Sequence, residues 1–337
     1  MSVLEVIIET NSLTKNYGPH VALDSIDLKI HSGATGLLGP NGAGKSTLIK
    51  TLLGLIQLTS GDGSVLGYNI KTEGDMIRQR IGYMPEYDCL TPEMNAVDQV
   101  KYCGELTGMN TSSAHRRAHE VLEYVGLMEA RTRQIETYST GMAQATKLAC
   151  AIVHDPQLVI CDEPTNGLDT KARSFMLDTL FQVVKQGGRS ILMSSHMMDD
   201  VERVCERMLM IHKGKLIAQG KIEDLKAIDR EIEISVWGGA DQMETGLKDA
   251  GMKPRRSGRV MRVVRIDETT YDRVLEIAAK AEVQIRRMED YEPSLEDLFL
   301  VIMDRLGYSV KTSSDLLQTQ PTARAVAPAP SRPGGEF

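Results

Sequence analysis

The sequence predicts an α/β chain built on a mainly parallel sheet, with a smaller α+β unit after it. Continuously apolar runs such as Leu158–Ile160 and Ile191–Met193 read as strands buried on both faces. They alternate with stretches of helical periodicity, the order that lays strands parallel. From Glu231 the order changes to strand, helix, two strands, helix, strand. That βαββαβ pattern suggests a ferredoxin-like layer.

In chain order, Gly36-Leu37-Leu38 reads as the end of a strand, followed by a helix with Leu48, Ile49, Leu52 and Leu53 on one face. Gly61 to Gly67 reads as β-turns between short strands, its spacing wrong for a dinucleotide fingerprint. Tyr87 to Thr137 is largely helical in pattern, and a further helix carries Ala145, Leu148, Ala149 and Ile152 on one face. Leu158–Asp162 is the next strand and Pro164–Asp169 a turn. Thr170–Gln186 is a helix with Met176, Leu180, Val183 and Val184 on one face, stopped by Gly187-Gly188. Ser190–Ser195 follows as a strand. In the second unit the spacing predicts a strand over Glu231–Trp237, a helix over Asp241–Ala250 and a strand pair within Lys253–Ile266. A helix over Tyr271–Ala281, a strand over Val283–Glu289 and a closing helix over Leu295–Leu306 complete it, the last announced by Pro293-Ser294. Organisation is thus 1–222, 228–306, and a Pro/Ala-rich tail over 312–337 whose composition predicts disorder.

Composition excludes several classes. The chain has 337 residues, 42% apolar and 25% charged, with a net charge of −7. A protein built to coat nucleic acid would show a basic surplus instead, so no nucleic-acid partner is expected. The five cysteines form no CxxC pair, which argues against a zinc ribbon or disulfide scaffold and for a reducing compartment. Met1–Thr10 carries Glu5 and Glu9 and no basic cluster, unlike a signal peptide. No window approaches 18 uninterrupted apolar residues, so no membrane span is expected. His115 and His119 stand at i, i+4, but on a polar helix with Arg116 between them, and read as a solvated face. Arg255-Arg256 and Arg286-Arg287 read as a solvated sheet face.

The motif that carries chemistry is Gly39-Pro40-Asn41-Gly42-Ala43-Gly44-Lys45-Ser46-Thr47, a full GxxxxGK[ST] between a strand and a helix. Glycines let the backbone turn N–H groups toward a phosphate chain, and the helix N-terminus adds positive potential. Lys45 would reach the β and γ phosphates and Ser46 would give an oxygen to Mg²⁺. Downstream, the strand ending in Asp162-Glu163 brings two carboxylates to the sheet's carboxyl edge, where ligands of such sheets bind. Asp162 is placed to hold Mg²⁺, and Glu163 to orient or deprotonate an attacking water. His196, ending the next strand, faces the same edge, where a neutral imidazole could donate to the γ phosphate.

In this order the motifs resemble the nucleotide-binding subunit of an ABC transporter, over residues 5 to about 220. The resemblance implies a P-loop fold of ABC type, with a small antiparallel β subdomain and a helical subdomain near 87–153. It implies an ATP- and Mg²⁺-dependent ATPase working as a head-to-tail dimer, here read as a homodimer, docked on a separate polytopic membrane subunit at the cytoplasmic face of the membrane. It also places an LSGGQ signature at Tyr138-Ser139-Thr140-Gly141-Met142, where Ser139 and Gly141 would contact the γ phosphate held by the other subunit. Tyr17 matches the aromatic residue that stacks on adenine. Asp169, in Gly167-Leu168-Asp169, matches the loop that couples the two sites. Glu86 stands where the family usually has glutamine, a replacement like one seen in some exporter ATPases, and is expected as a further metal ligand. Thr140 and Met142 replace glycine and glutamine of the signature, and Ala145 stands where arginine is common. Glu292-Pro-Ser-Leu-Glu-Asp-Leu-Phe299-Leu300 looks like the closing motif of ABC-2-type exporter ATPases. Rival readings are a soluble ABC ATPase acting on ribosomes or DNA, and a regulatory module with weak ATPase.

Overall fold

A computed structural model describes residues 5–185, 188–227, 231–265, 267–291 and 293–305. The tail predicted over 312–337, and the Gln186-Gly187 end of one predicted helix, lie outside the described residues. The chain divides into a unit of residues 1–298 and one of 299–337. Within the second, residues 299–305 are helical.

The first unit opens with the hairpin β1 (Val6–Tyr17) and β2 (His20–His31), then β3 (Ala34–Leu38), α1 (Lys45–Leu52), β4 (Ser60–Val65), β5 (Tyr68–Asn69), α2 (Gly74–Arg78) and β6 (Ile81–Met84). Three helical segments follow: α3 (Ala96–Leu106), α4 (Thr111–Tyr124) and, after a single 3₁₀ turn, α5 (Thr140–Ile152). Next come β7 (Leu158–Asp162), α6 (Thr170–Lys185), β8 (Ser190–Ser195), α7 (Met198–Val204), β9 (Arg207–His212), β10 (Lys215–Lys221) and α8 (Ile222–Ala227). The last elements are β11 (Glu231–Val236), α9 (Ala240–Asp249), β12 (Arg255–Ser257), β13 (Val260–Val264), α10 (Thr269–Lys280), β14 (Ile285–Tyr291) and α11 (Leu295–Arg305).

Three sheets result. The antiparallel one runs β2-β1-β4-β5. In β2, Ile26, Leu28 and Ile30 are buried while Ser25, Asp27 and Lys29 are exposed, the period of a half-buried strand. The central sheet runs β10-β9-β3-β8-β7-β6, parallel from β9 to β6. Every residue of β3, β7 and β8 is buried, which explains why these strands read as unbroken apolar runs. α1 packs Leu48, Ile49 and Leu52 into a core shared with Leu37, Ile160, Leu192 and Leu209. Burying each such side chain is worth about 1.5–3 kcal/mol.

The third sheet runs β12-β13-β11-β14, wholly antiparallel, with α9 and α10 as its crossovers: the predicted βαββαβ layer. Ile232, Ile234 and Met261 from the sheet pack with Met243, Leu247 and Val274 from the two helices.

One reading needs correction. Gly61 and Gly63 are not turn residues; they lie inside β4. A Cβ at Gly61 would sit 2.2 Å from the Ser12 carbonyl oxygen, and one at Gly63 2.9 Å from that of Glu9. These glycines serve the close approach of β4 to β1. Only Leu66 and Gly67, with φ of +52° and +81°, make a turn, the two-residue kind that suits a tight hairpin.

Candidate functional site

The central sheet sets the site. The chain reaches β3, β6, β7 and β8 in that order, but in space β8 lies between β3 and β7. The carboxyl ends of neighbouring strands therefore lead into the Gly39–Gly44 loop, His196, Asp162-Glu163 and Glu86, four segments distant in sequence.

The loop from Gly39 to Gly44 is shaped by packing at its ends and by conformation at its middle. A Cβ at Gly39 would lie 2.4 Å from the Ile211 carbonyl oxygen, and one at Gly44 2.7 Å from that of Ala22. Gly42, at φ +78°, has open space where a Cβ would be. No side chain caps the N-terminus of α1, so its first backbone N–H groups remain as donors suited to an anion. Gly39→Ala is expected to destabilise the protein by about 1–3 kcal/mol, because a backbone carbonyl blocks the methyl group. An unchanged midpoint in urea unfolding would contradict this.

Lys45 is buried with only 6% of its surface exposed. Its Nζ donates to the Gly39 carbonyl at 2.7 Å and pairs with Glu163 Oε1 at 3.1 Å. The other Glu163 oxygen, Oε2, lies 2.8 Å from His196 Nδ1. Glu163 makes both contacts from a backbone at φ +50°, a left-handed conformation uncommon for a residue with a side chain. Its backbone N–H donates to Ser194 Oγ at 2.9 Å, and the same hydroxyl donates to Asp162 Oδ1 at 2.6 Å. A single buried serine in β8 thus orients both carboxyl-bearing residues.

Burial alone would raise the Glu163 pKa, but the His196 hydrogen bond and the Lys45 charge together hold it below its ordinary value. For His196 the hydrogen bond to Glu163 is the largest influence and raises the pKa, although partial burial and Lys45 oppose it. The Glu163 contact thus favours the imidazolium over the neutral imidazole expected from the sequence. A neutral ring that gives its Nδ1 proton to Glu163 has no proton on Nε2, so only the imidazolium can donate in both directions. The stabilising contribution of His196 is complete below pH 6.5 and lost as pH rises through its raised folded value. That of Glu163 is complete above pH 4.5 and lost as pH falls through its depressed one. His196→Ala should therefore destabilise most between these two values and less at alkaline pH. The side chain of His196 is 44% exposed, so the effect is under about 1 kcal/mol. Urea titrations over a pH series check this; a penalty independent of pH would refute the pairing.

Other predicted residues lie on flanking elements. Glu86 Oε1 accepts from Asn166 Nδ2 at 3.4 Å. Ser139 caps α5, its hydroxyl accepting from the Met142 N–H at 3.3 Å, and both Ser139 and Thr140 are exposed. Gly141 lies against α6, where a Cβ would be 3.1 Å from that of Ala172. Asp169 Oδ1 accepts from the Ala172 N–H at 2.8 Å, so the signature segment and Asp169 meet at the start of α6. Tyr17 ends β1, its half-exposed ring carrying Lys15 Nζ 4.8 Å from the centroid.

Sequence reasoning missed the groups that tie these segments together. Asp200, fully buried in α7, accepts from Thr165 Oγ1 at 2.6 Å and Arg173 Nε at 2.7 Å, joining the turn after Glu163 to α6. Ser194, Gln144 and Lys147 are likewise buried. A polar residue inside an otherwise apolar run was the available signal for Ser194 and Lys147; Asp200 offered none.

Among the described residues no group of three or more His, Cys, Asp or Glu side chains forms a metal cage. The oxygen donors of Ser46, Asp162 and Glu86 suit instead a hard cation that brings further ligands from phosphates and water, as Mg²⁺ does. The described residues also include no helix long and apolar enough to cross a membrane.

Residues 23–166 match the family described as ABC transporter. The linearmycin resistance ATP-binding protein LnrL of Bacillus subtilis (strain 168) is 33% identical over 308 residues, covering 89% of this chain and 99% of that protein. The Nod factor export ATP-binding protein I of Sinorhizobium fredii is 32% identical over 89% of this chain and 87% of its own length. The daunorubicin/doxorubicin resistance ATP-binding protein DrrA of Streptomyces peucetius is 35% identical over 65% of this chain and 67% of its own. Among solved structures, an ATP-binding subunit of an ABC transporter is 28% identical with a TM-score of 0.59, over 66% of this chain and 92% of that one.

Proposed function

The chain belongs to the ABC transporter family as an ATP-hydrolysing subunit of the exporter type, and on that premise we propose how its residues divide the work. The ATP-binding domain spans residues 1–222, its helical subdomain 87–153, and residues 228–306 form an accessory domain. The backbone of Gly39–Gly44, with Lys45 and Thr47, holds the phosphates, and Tyr17 stacks on the adenine. Ser46, Asp162 and Glu86 hold Mg²⁺, which when bound neutralises phosphate charge.

The observation that carries this reading is the contact of the buried Glu163 with both Lys45 and His196 at the ends of three adjacent strands. An ammonium held within 3.1 Å of a carboxylate is positioned to exchange that partner for an incoming phosphate. The exchange frees Glu163 to orient a water and accept its proton, while the imidazolium of His196 steadies the γ phosphate. Ser139 and Gly141, at the exposed N-terminus of α5, would meet the γ phosphate bound by a second copy in a head-to-tail dimer. Asp169 would pass the state of one site to the other. Closure on ATP and opening after hydrolysis form a two-state element biased by γ-phosphate contacts.

The partner is a separate polytopic membrane subunit, and the working location the cytoplasmic face of the membrane. Affinity purification of the tagged chain from detergent-solubilised membranes of its host tests this. A stoichiometric polytopic protein is the expected companion. Recovery only from the soluble fraction, or on ribosomes or DNA, would overturn the transport role and leave the ATPase standing.

A further inference from the structure

α5 is buried along most of its length, and Lys147 lies on that buried side with 2% of its surface exposed. An ammonium taken out of water is strongly disfavoured unless its protons are received. Here Nζ donates to the backbone carbonyls of Glu86 at 3.0 Å and Tyr87 at 3.1 Å. Burial pulls the Lys147 pKa down, while Cys89, Asp88 and Glu86 push it back up. Nearly one turn earlier on the same helix, Gln144 Nε2 donates to the Asn166 carbonyl at 3.5 Å. Asn166 in turn donates through its side chain to Glu86 Oε1. The three links close a ring from α5 to the Glu86 loop, to the turn that leads to Asp169, and back to α5.

We propose that Lys147 is a positioning residue that couples Glu86 to the signature end of α5. By holding the main chain at residues 86 and 87 it fixes where the Glu86 carboxylate stands. A shift of Glu86 is then passed to the helix that opens with Ser139 and Gly141. The ammonium also offsets the negative charge that a glutamate, unlike a glutamine, brings to this loop. The inference rests on the proposed roles of Glu86 and Ser139.

Lys147→Met keeps the length of the side chain and removes its donors; Gln144→Leu cuts the ring at another link without touching a charge. In the purified full-length chain, Lys147→Met is expected to lower ATPase kcat about 10-fold or more while the ATP Kd changes less than about 3-fold. Gln144→Leu should act in the same direction, more weakly. On a Glu86→Ala background, which removes the side chain that Lys147 positions, Lys147→Met should cost less than about 3-fold further, because residues in one network do not act additively. A folded Lys147→Met protein with wild-type kcat and KM, or losses that multiply in the double variant, would overturn the coupling. Should Lys147→Met fail to fold, the cycle of Gln144→Leu with Glu86→Ala gives the same reading. Glu163→Gln is the reference: inactive Glu163→Gln beside active Lys147→Met defeats only the coupling, whereas active Glu163→Gln defeats the functional reading beneath it.

Discussion

Glu163→Gln is expected to lower ATPase kcat by about 10²–10⁴-fold, the usual contribution of a positioned general base, while ATP binding survives. The amide has nearly the shape of the carboxylate and meets the same backbone at φ +50°. It cannot take a proton from water, and its NH2 group, a donor, replaces one of the two oxygens that face Lys45 and His196. Lys45 loses its charged partner and becomes the freer to bind phosphate, so affinity should hold or rise. With closure intact and hydrolysis blocked, the variant should accumulate as an ATP-bound dimer on size exclusion. Single-turnover rates within about 3-fold of wild type would remove Glu163 from the chemistry.

Lys45→Ala should act on the opposite quantity. Truncating one member of a buried, hydrogen-bonded charge pair commonly costs about 2–5 kcal/mol, which corresponds to roughly 30- to several-thousand-fold in Kd. Part of that loss comes from Glu163. Without the ammonium its pKa rises, and any charge it keeps repels the incoming phosphates. The Lys45→Ala, Glu163→Gln double variant should therefore recover part of the affinity lost by Lys45→Ala. Calorimetry with ATP measures both. An unchanged Kd in Lys45→Ala would refute the phosphate-binding role of the loop.

The fold was legible wherever periodicity had one reading. Strands buried on both faces, such as β7 and β8, showed as apolar runs, and the βαββαβ order of residues 231–291 was visible in its alternation. Gly61 and Gly63 were misread because composition cannot distinguish a glycine that turns the chain from one that admits a neighbouring strand. Within the candidate site, motif spacing reached Lys45, Asp162, Glu163 and His196, each at a strand or helix terminus. It did not reach the contacts among them. Lys45 and Glu163 are separated by so many residues that only the strand order brings them together, and Lys147 meets Glu86 only through the packing of α5 beside β6. The left-handed backbone of Glu163 was equally silent, since glutamate has no preference for it.

The insertion of β8 between β3 and β7 also bears on how the chain is made. The first β hairpin can close as soon as it leaves the ribosome, but β3 pairs only with β8 and β9. The hydrogen bond from Gly33, just before β3, to Ser190 spans 157 residues. At typical synthesis rates the edges of β3 wait about 10–30 s for their neighbours. During that interval Leu37 and Leu38 have no sheet to enter and depend on local collapse or a chaperone. Nucleotide cannot shorten the wait, because Asp162, Glu163 and His196 come into place beside the loop only once β7 and β8 are docked. Ligand-assisted stabilisation is thus available to the finished chain and withheld from the nascent one.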